Sequence, residues 1–263
     1  MEHLIKKYKD LGIDEIIDHD KFNFIAIVHH STVLEGSTLT EIETAVLIND
    51  GLTPKGKPLV HSLMVSDHFN ALTFVIDHAN RKVPITINLI QQIGGLVLKS
   101  TGSVYETVFG KIDASRGEFR KGNVVAGETY FPNYDKVDKL MNELVATLDQ
   151  KMKQNLSLEE QINLSFDAHF NLVSIHPFYD GNGRSSRLLM NYIQQYYGLP
   201  LAIVNSESKV DYIKALIDTR EKSDINIFRA FMKNEYAEHL KSEIKKIEKV
   251  IQPKKGSGYT FLF

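Results

Sequence analysis

Twelve consecutive residues, His176-Pro177-Phe178-Tyr179-Asp180-Gly181-Asn182-Gly183-Arg184-Ser185-Ser186-Arg187, bring together the groups that anion chemistry needs. Gly181 and Gly183 lack a Cβ, so the backbone there can curl around an anion and present N–H groups to it. The start of the following helix adds a partial positive charge. Arg184 and Arg187, three apart, share a helix face and are spaced to reach phosphate oxygens together. Asp180 is a hard oxygen ligand suited to a Mg²⁺ ion that bridges phosphates. His176 takes up a proton near neutral pH. Phe178 reads as a core anchor with no chemistry of its own. Taken singly these features are bland: Asp-Gly and Asn-Gly are common turn dipeptides, a histidine beside a helix end is more often structural, and two arginines on a helix usually face water. Their combination in one loop is what points to chemistry.

Such a loop needs two helices to hold it. Ser157 and Glu160 have capping-box spacing and open a predicted helix running to about Ile175. Pro177 then pushes His176 away from helical dihedrals, onto the last turn or the first loop position. A new helix is expected near Gly183, ending before Gly198-Leu199-Pro200. Thr40 and Glu43 form a second capping box, with Gly51 closing that helix. Apolar periodicity predicts further helices over about 21–35, 60–79, 87–101 and 134–152, with Gly36 ending the first of them. The segment from Gly117 to Phe131 differs. There Gly122 and Gly127 bracket Asn123-Val124-Val125-Ala126, and Thr129-Tyr130-Phe131 follows, which reads as a small hairpin. The expected fold class is mainly α.

The chain has 263 residues, ordinary globular composition and a formal net charge of −2, which suits one large catalytic domain and argues against a nucleic-acid partner. The lysines of Lys241-Ser242-Glu243-Ile244-Lys245-Lys246-Ile247-Glu248-Lys249 alternate with glutamates and read as a solvated helix face. With no cysteine, disulfides, thiolate catalysis and Cys-ligated zinc are excluded. The opening residues are charged and amphipathic, and no apolar run approaches the roughly 20 residues that span a bilayer. The expectation is a cytoplasmic protein with no membrane partner.

The loop resembles the signature of the Fic family: a histidine, a phenylalanine two on, an acidic residue, then Gly-Asn-Gly-Arg and a second arginine. All eight specified positions are present, and the resemblance extends from about residue 31 to about residue 232. It implies a Fic-type helical bundle with a β-hairpin flap near the active site. The implied organisation is an N-terminal helical extension (1–20), a Fic domain (21–235) that includes an inhibitory helix (about 21–36) and the catalytic loop (176–187), and a C-terminal helix and tail (236–263). The stretch after Met232 is expected to be too short for a DNA-binding winged helix.

By this resemblance the chain is expected to transfer AMP from ATP to a Ser, Thr or Tyr hydroxyl of a target protein. His176 would be the general base, Asp180 would hold Mg²⁺, and Gly181, Asn182 and Gly183 would bind the inner phosphates, Asn182 helping to position the α-phosphate. Arg184 and Arg187 would bind the outer ones. Tyr212, on a helix reaching Thr219, would line the adenine pocket, and the 123–131 hairpin would dock the target by strand addition. Relatives commonly form homodimers. Ser31-Thr32-Val33-Leu34-Glu35-Gly36 also resembles the family's inhibitory motif, in which the glutamate pairs with the second arginine, here Arg187. Glu35 falls at a predicted helix C-terminus, where the dipole disfavours an anion by up to about 1 kcal/mol and a cationic partner would offset that. Alternatives on the same scaffold are removal of AMP with Glu35 aligning a water, transfer of another phosphate-linked group, and a non-catalytic nucleotide-binding regulator. A dinucleotide site fits poorly, because the third glycine of G-x-G-x-x-G is absent and His-Pro-Phe, not a strand, precedes the loop.

Overall fold

The structure, a computed structural model, describes residues 1–13 and 19–251. Among them the helices are α1 (Glu2–Asp10), α2 (His19–Leu34), α3 (Glu41–Asp50), α4 (Leu59–Asn80), α5 (Ile87–Val97), α6 (Val137–Met152), α7 (Leu158–Ile175), α8 (Asn182–Tyr196), α9 (Lys209–Lys222) and α10 (Ile225–Ile251). Two antiparallel hairpins lie between α5 and α6: β1 (Val104–Thr107) with β2 (Gly110–Asp113), and β3 (Val125–Ala126) with β4 (Thr129–Tyr130). The mainly helical expectation holds. The first hairpin has no counterpart in the sequence reading.

Both capping boxes form: Thr40 and Glu43 exchange side-chain and backbone bonds at the start of α3, and Ser157 and Glu160 do so at α7. Gly51 closes α3 in the left-handed region. Helix α5 stops at Val97, short of the expected 101, because Asp67 captures Ser100 through both its N–H (2.7 Å) and its hydroxyl (2.8 Å). That carboxylate competes with the helix for Ser100.

Helices α7 and α8 pack side by side, and α4 crosses α8 from the other side. The core divides around this pair. One cluster joins α4, α5 and α8 through Leu72, Ile90, Leu188, Leu189 and Ile193; the other joins α7, α9, α10 and α1 through Phe166, Tyr212, Phe228, Tyr236 and Tyr8. Helix α10 runs unbroken across residue 235, and α1 packs on it. Residues 14–18 and the tail at 254–259 lie outside the described residues. Helix α4 is long and apolar enough to cross a bilayer, but its centre buries Asp67 and His68 among core residues.

Helix α8 is buried on nearly every side, and its buried set includes Arg184, Ser185, Ser186, Arg187, Asn191 and Gln194. Polar groups at such depth require partners. Gln194 Oε1 accepts from Ala202 N (2.8 Å), Asn191 Nδ2 donates to Ala202 O (3.0 Å), and Ser186 Oγ donates to Asn182 O (2.6 Å). The two bonds to Ala202 hold α8 against rotation and thereby fix where its first turn points.

Phe178, 2% exposed, wedges beneath the loop against Phe119 and the face of Gly94. A Cβ on Gly94 would lie 2.6 Å from the Phe178 ring. Gly94→Ala is therefore expected to lower the urea midpoint by the equivalent of about 1–3 kcal/mol, the usual range for overpacking. An unchanged midpoint would show that Phe178 is not the anchor.

Candidate active site

Helix α7 ends where Pro177 forbids it to continue, and His176 caps it in the left-handed region (φ 54°, ψ 58°). That conformation costs a non-glycine residue about 1–2 kcal/mol, so the surroundings must hold it. They do so at three points. The His176 N–H donates to Leu172 O (3.0 Å), its carbonyl accepts from Arg120 Nε (2.7 Å), and its ring stacks on Phe131 at 3.8 Å. Nδ1 lies 3.2 Å from Val173 O, which can only accept, so Nδ1 carries the proton and Nε2 keeps its lone pair. Burial first, then the charges of Arg120 and Arg220, push the His176 pKa down to about 4. At neutral pH the ring is an uncharged proton acceptor.

Across the loop, Gly181 (φ 76°) precedes the first turn of α8, and the earliest intrahelical bond runs from Ser185 N to Gly181 O (2.9 Å). The N–H groups of Asn182, Gly183 and Arg184 therefore have no partner inside the helix, as at any helix start. Asn182 is tied to the loop itself. Its side chain accepts from Phe178 N and donates to Phe178 O, both at 2.9 Å, and it is 2% exposed. It braces the loop and leaves only its backbone N–H for a ligand. Asp180, with its side chain 57% exposed, accepts from Gly181 N (2.6 Å) and stands 3.5 Å from Arg184 Nη2. Among the described residues no cluster of three acidic or histidine side chains could hold a metal. A single accessible carboxylate beside a helix start still fits Mg²⁺, which usually takes one or two carboxylates plus substrate phosphates and water.

The two arginines turn to different partners. Arg184 donates from Nη1 to Val97 O at the end of α5 (3.2 Å), where the helix dipole favours a cation. Arg187 faces α2: Nε donates to Ser31 Oγ (2.8 Å), and Nη2 to Ser31 O (3.0 Å) and to Glu35 Oε1 (2.6 Å). Ser31 and Glu35, four apart, share the face of α2 that meets it. A Cβ on Gly183 would lie 2.4 Å from Glu35 Oε1, so the carboxylate rests on the first turn of α8. Burial on its own would raise the Glu35 pKa, but the Arg187 charge and hydrogen bond outweigh it and hold it below the usual range.

Tyr212 is 3% exposed and its hydroxyl lies 3.0 Å from His169 Nε2. It lines the same cleft as His176, with its polar end tied inward. That cleft, about 790 Å³, has Glu35, Gly183 and Arg187 at its base, Ile213, Leu216, Ile217 and Arg220 of α9 on one wall, and the β3–β4 hairpin above. Sequence reasoning missed Arg120. Only 1% exposed, it donates to His176 O, to Gly122 O (2.8 Å) and to Pro132 O, and its N–H donates to Pro177 O (2.9 Å). One guanidinium thus joins the hairpin's two bases to the loop. Its segment has no periodicity, and Arg120 stands beside Lys121 with nothing in the sequence to single it out.

Residues 84–194, which include the whole loop, match the model of the Fic/DOC family. The chain thus contains a segment similar to the Fic/DOC family. Helix α2 and the α9 wall lie outside the matched Fic segment. The chain is 29% identical over 214 residues to Protein adenylyltransferase Fic of Aedes aegypti, covering 81% of this chain and 40% of that protein. It is 29% identical over 206 residues to the protein of that name from Drosophila melanogaster, covering 78% and 39%. The chain therefore spans about two fifths of the length of the curated relatives it matches. A Fic domain containing signaling protein from Bacteroides thetaiotaomicron superposes with a TM-score of 0.81 at 24% identity, covering 94% of this chain and 97% of that one. Fic-1 from C. elegans gives 0.73 at 21% identity, covering 95% and 73%. These two likenesses carry the Fic fold.

Two outcomes follow from the geometry. NMR titration of the ring carbons should place the His176 midpoint near 4, and a midpoint at the ordinary 6.5 would contradict its buried, cation-flanked setting. Arg120→Leu should lower the denaturation midpoint by the equivalent of about 3 kcal/mol, as charge-assisted bonds to buried carbonyls are lost. Amide exchange at 122–132 should rise with it.

Proposed function

We propose that this chain transfers AMP from ATP to a hydroxyl of a protein, and that Glu35 holds it inhibited. The observation that carries the reading is one cleft in which a neutral imidazole and an anion-ready helix start lie together, with a carboxylate resting where anionic substrate would sit. The relatives' name, protein adenylyltransferase, supports the same chemistry.

In this reading His176 Nε2 takes the proton from the acceptor hydroxyl, whose oxygen attacks the α-phosphorus as pyrophosphate leaves. The base is weak in the free protein, and the negative charge of bound nucleotide raises its proton affinity toward the working range. The N–H groups of Asn182, Gly183 and Arg184 face the phosphates and stabilise the charge that spreads over their oxygens. Arg184 stays anchored to Val97 and Asp180 and contributes field at the helix start. Arg187 becomes a phosphate ligand only when Glu35 leaves. Asp180 would hold Mg²⁺ together with phosphate oxygens, and that ion supplies charge neutralisation. Ile213, Leu216, Ile217 and Val173 offer apolar faces for the base of the nucleotide, and the free edges of the β3–β4 hairpin suit an extended target segment.

Glu35 lines the same cleft as His176, which also suits alignment of a water for AMP removal. Loss of label from a modified protein on incubation with wild type, but not with Glu35→Gly, would favour that direction.

Incubation with labelled ATP tests the main reading. Glu35→Gly should raise incorporation of AMP at least about tenfold, equivalent to some 1.4 kcal/mol of released inhibition. In that background His176→Ala should lose on the order of 10²–10⁴ of the rate. No incorporation by Glu35→Gly under varied divalent cations would refute the assignment.

A further inference from the structure

The β1–β2 hairpin turns on Thr107-Val108-Phe109-Gly110, and the geometry of that turn is already satisfied by its outer residues. Phe109 N donates to Thr107 Oγ1 (3.1 Å), Thr107 Oγ1 donates to Gly110 O (2.8 Å), and Gly110 takes the positive φ (103°). Val108 and Phe109 keep negative φ, so any residue would serve between them, and turns ordinarily place Asn, Asp, Ser or Gly there. Instead the tip carries a β-branched residue 92% exposed and an aromatic one 61% exposed. Val108 gains almost nothing from folding at that exposure and Phe109 only its contact with Tyr134, and a local rule broken with so little compensation inside the fold marks a functional site.

Its place in the molecule says which function. Tyr105 of β1 stacks on Tyr179, the residue before Asp180 in the catalytic loop, at 4.3 Å and 22°. Phe109 meets Tyr134 at 5.5 Å, and Tyr134 N donates to Asn123 Oδ1 (3.0 Å) at the base of the β3–β4 hairpin. That hairpin roofs the cleft and exposes Val125 and Tyr130 in turn. The two hairpins are therefore joined through Tyr134, and each exposes apolar side chains beside the cleft.

We propose that the Val108–Phe109 tip is a docking point for the protein whose hydroxyl receives AMP, taking an apolar patch on its folded surface away from the acceptor segment. This rests on the transfer reading above. The tip would set which proteins are modified and leave the chemistry alone, since neither side chain lines the cleft. Val108 and Phe109 are specificity residues in this sense, acting through the encounter.

The test uses the full chain carrying Glu35→Gly, with labelled ATP and cell lysate as the probe, and the labelled proteins identified by mass spectrometry. V108N/F109N supplies residues that such a turn prefers and leaves the charge unchanged, so melting temperature should hold or rise. V108N alone, at the more exposed position, guards against any loss of the Phe109–Tyr134 contact. Self-modification should stay within about twofold, while labelling of the identified proteins falls at least about tenfold for the pair and severalfold for V108N. Equal labelling of those proteins with and without the tip substitutions would overturn the docking role, as would a parallel fall in self-modification, which would make the hairpin part of the site's framework. An enzyme that labels neither itself nor lysate, whichever tip it carries, would instead sink the transfer reading and this proposal with it.

Discussion

Arg187 carries its charge at 5% side-chain exposure, and a guanidinium buried that deeply without a counter-charge costs several kcal/mol. Among the described residues Glu35 is the one carboxylate within ion-pair distance of it. Ser31 on α2 supplies two further acceptors, so this side chain bonds α8 to the end of α2. The neighbouring His68 and His169 are held neutral, by burial first and then by the Arg187 charge itself, and cannot share the load. The sign of the Glu35 shift sets how the pair responds to pH. A carboxyl whose folded pKa lies below its ordinary 4.5 stabilises the closed arrangement above that pH and loses its effect only as pH falls through the lowered value. Acidification within the range cells experience does not break such a pair.

The remaining parts divide between bracing and chemistry. Asn182 closes the loop on Phe178, Arg120 ties both hairpin bases to His176 and Pro177, and Phe131 stacks on the imidazole. These contacts hold His176 in a left-handed conformation that it would not keep alone. The groups left for a ligand are few: one imidazole nitrogen, three backbone N–H groups, one carboxylate and, paired with Glu35, one guanidinium. A small set of reactive groups held by a larger set of fully bonded ones is what electrostatic preorganisation requires.

Much of this was legible in the sequence for local reasons. The capping boxes at Thr40 and Ser157, the break at Pro177 and the glycines of the loop each dictate backbone conformation within a few residues. The α2 C-terminus could be read too, and with it the unfavourable place of Glu35 in the dipole. What could not be read depends on residues far apart. Arg120 reaches carbonyls at both bases of the β3–β4 hairpin, Asn182 looks like a ligand until its amide is seen to match Phe178, and the Tyr212 hydroxyl is shared between His169 and Arg187 on other helices. The first hairpin escaped because Val108-Phe109 carries no turn signature, and α5 was read too long because Asp67, more than 30 residues earlier, takes Ser100 from it.

The attachment of α2 to α8 through one ion pair is best measured by a double-mutant cycle on unfolding free energy, with Glu35→Ala, Arg187→Ala and the double variant. A coupling energy of about 1–3 kcal/mol is expected at neutral pH, reduced for the part of Glu35 that faces water. It should shrink as pH falls below 4.5. Coupling within about 0.3 kcal/mol of zero at neutral pH would mean that the pair holds nothing.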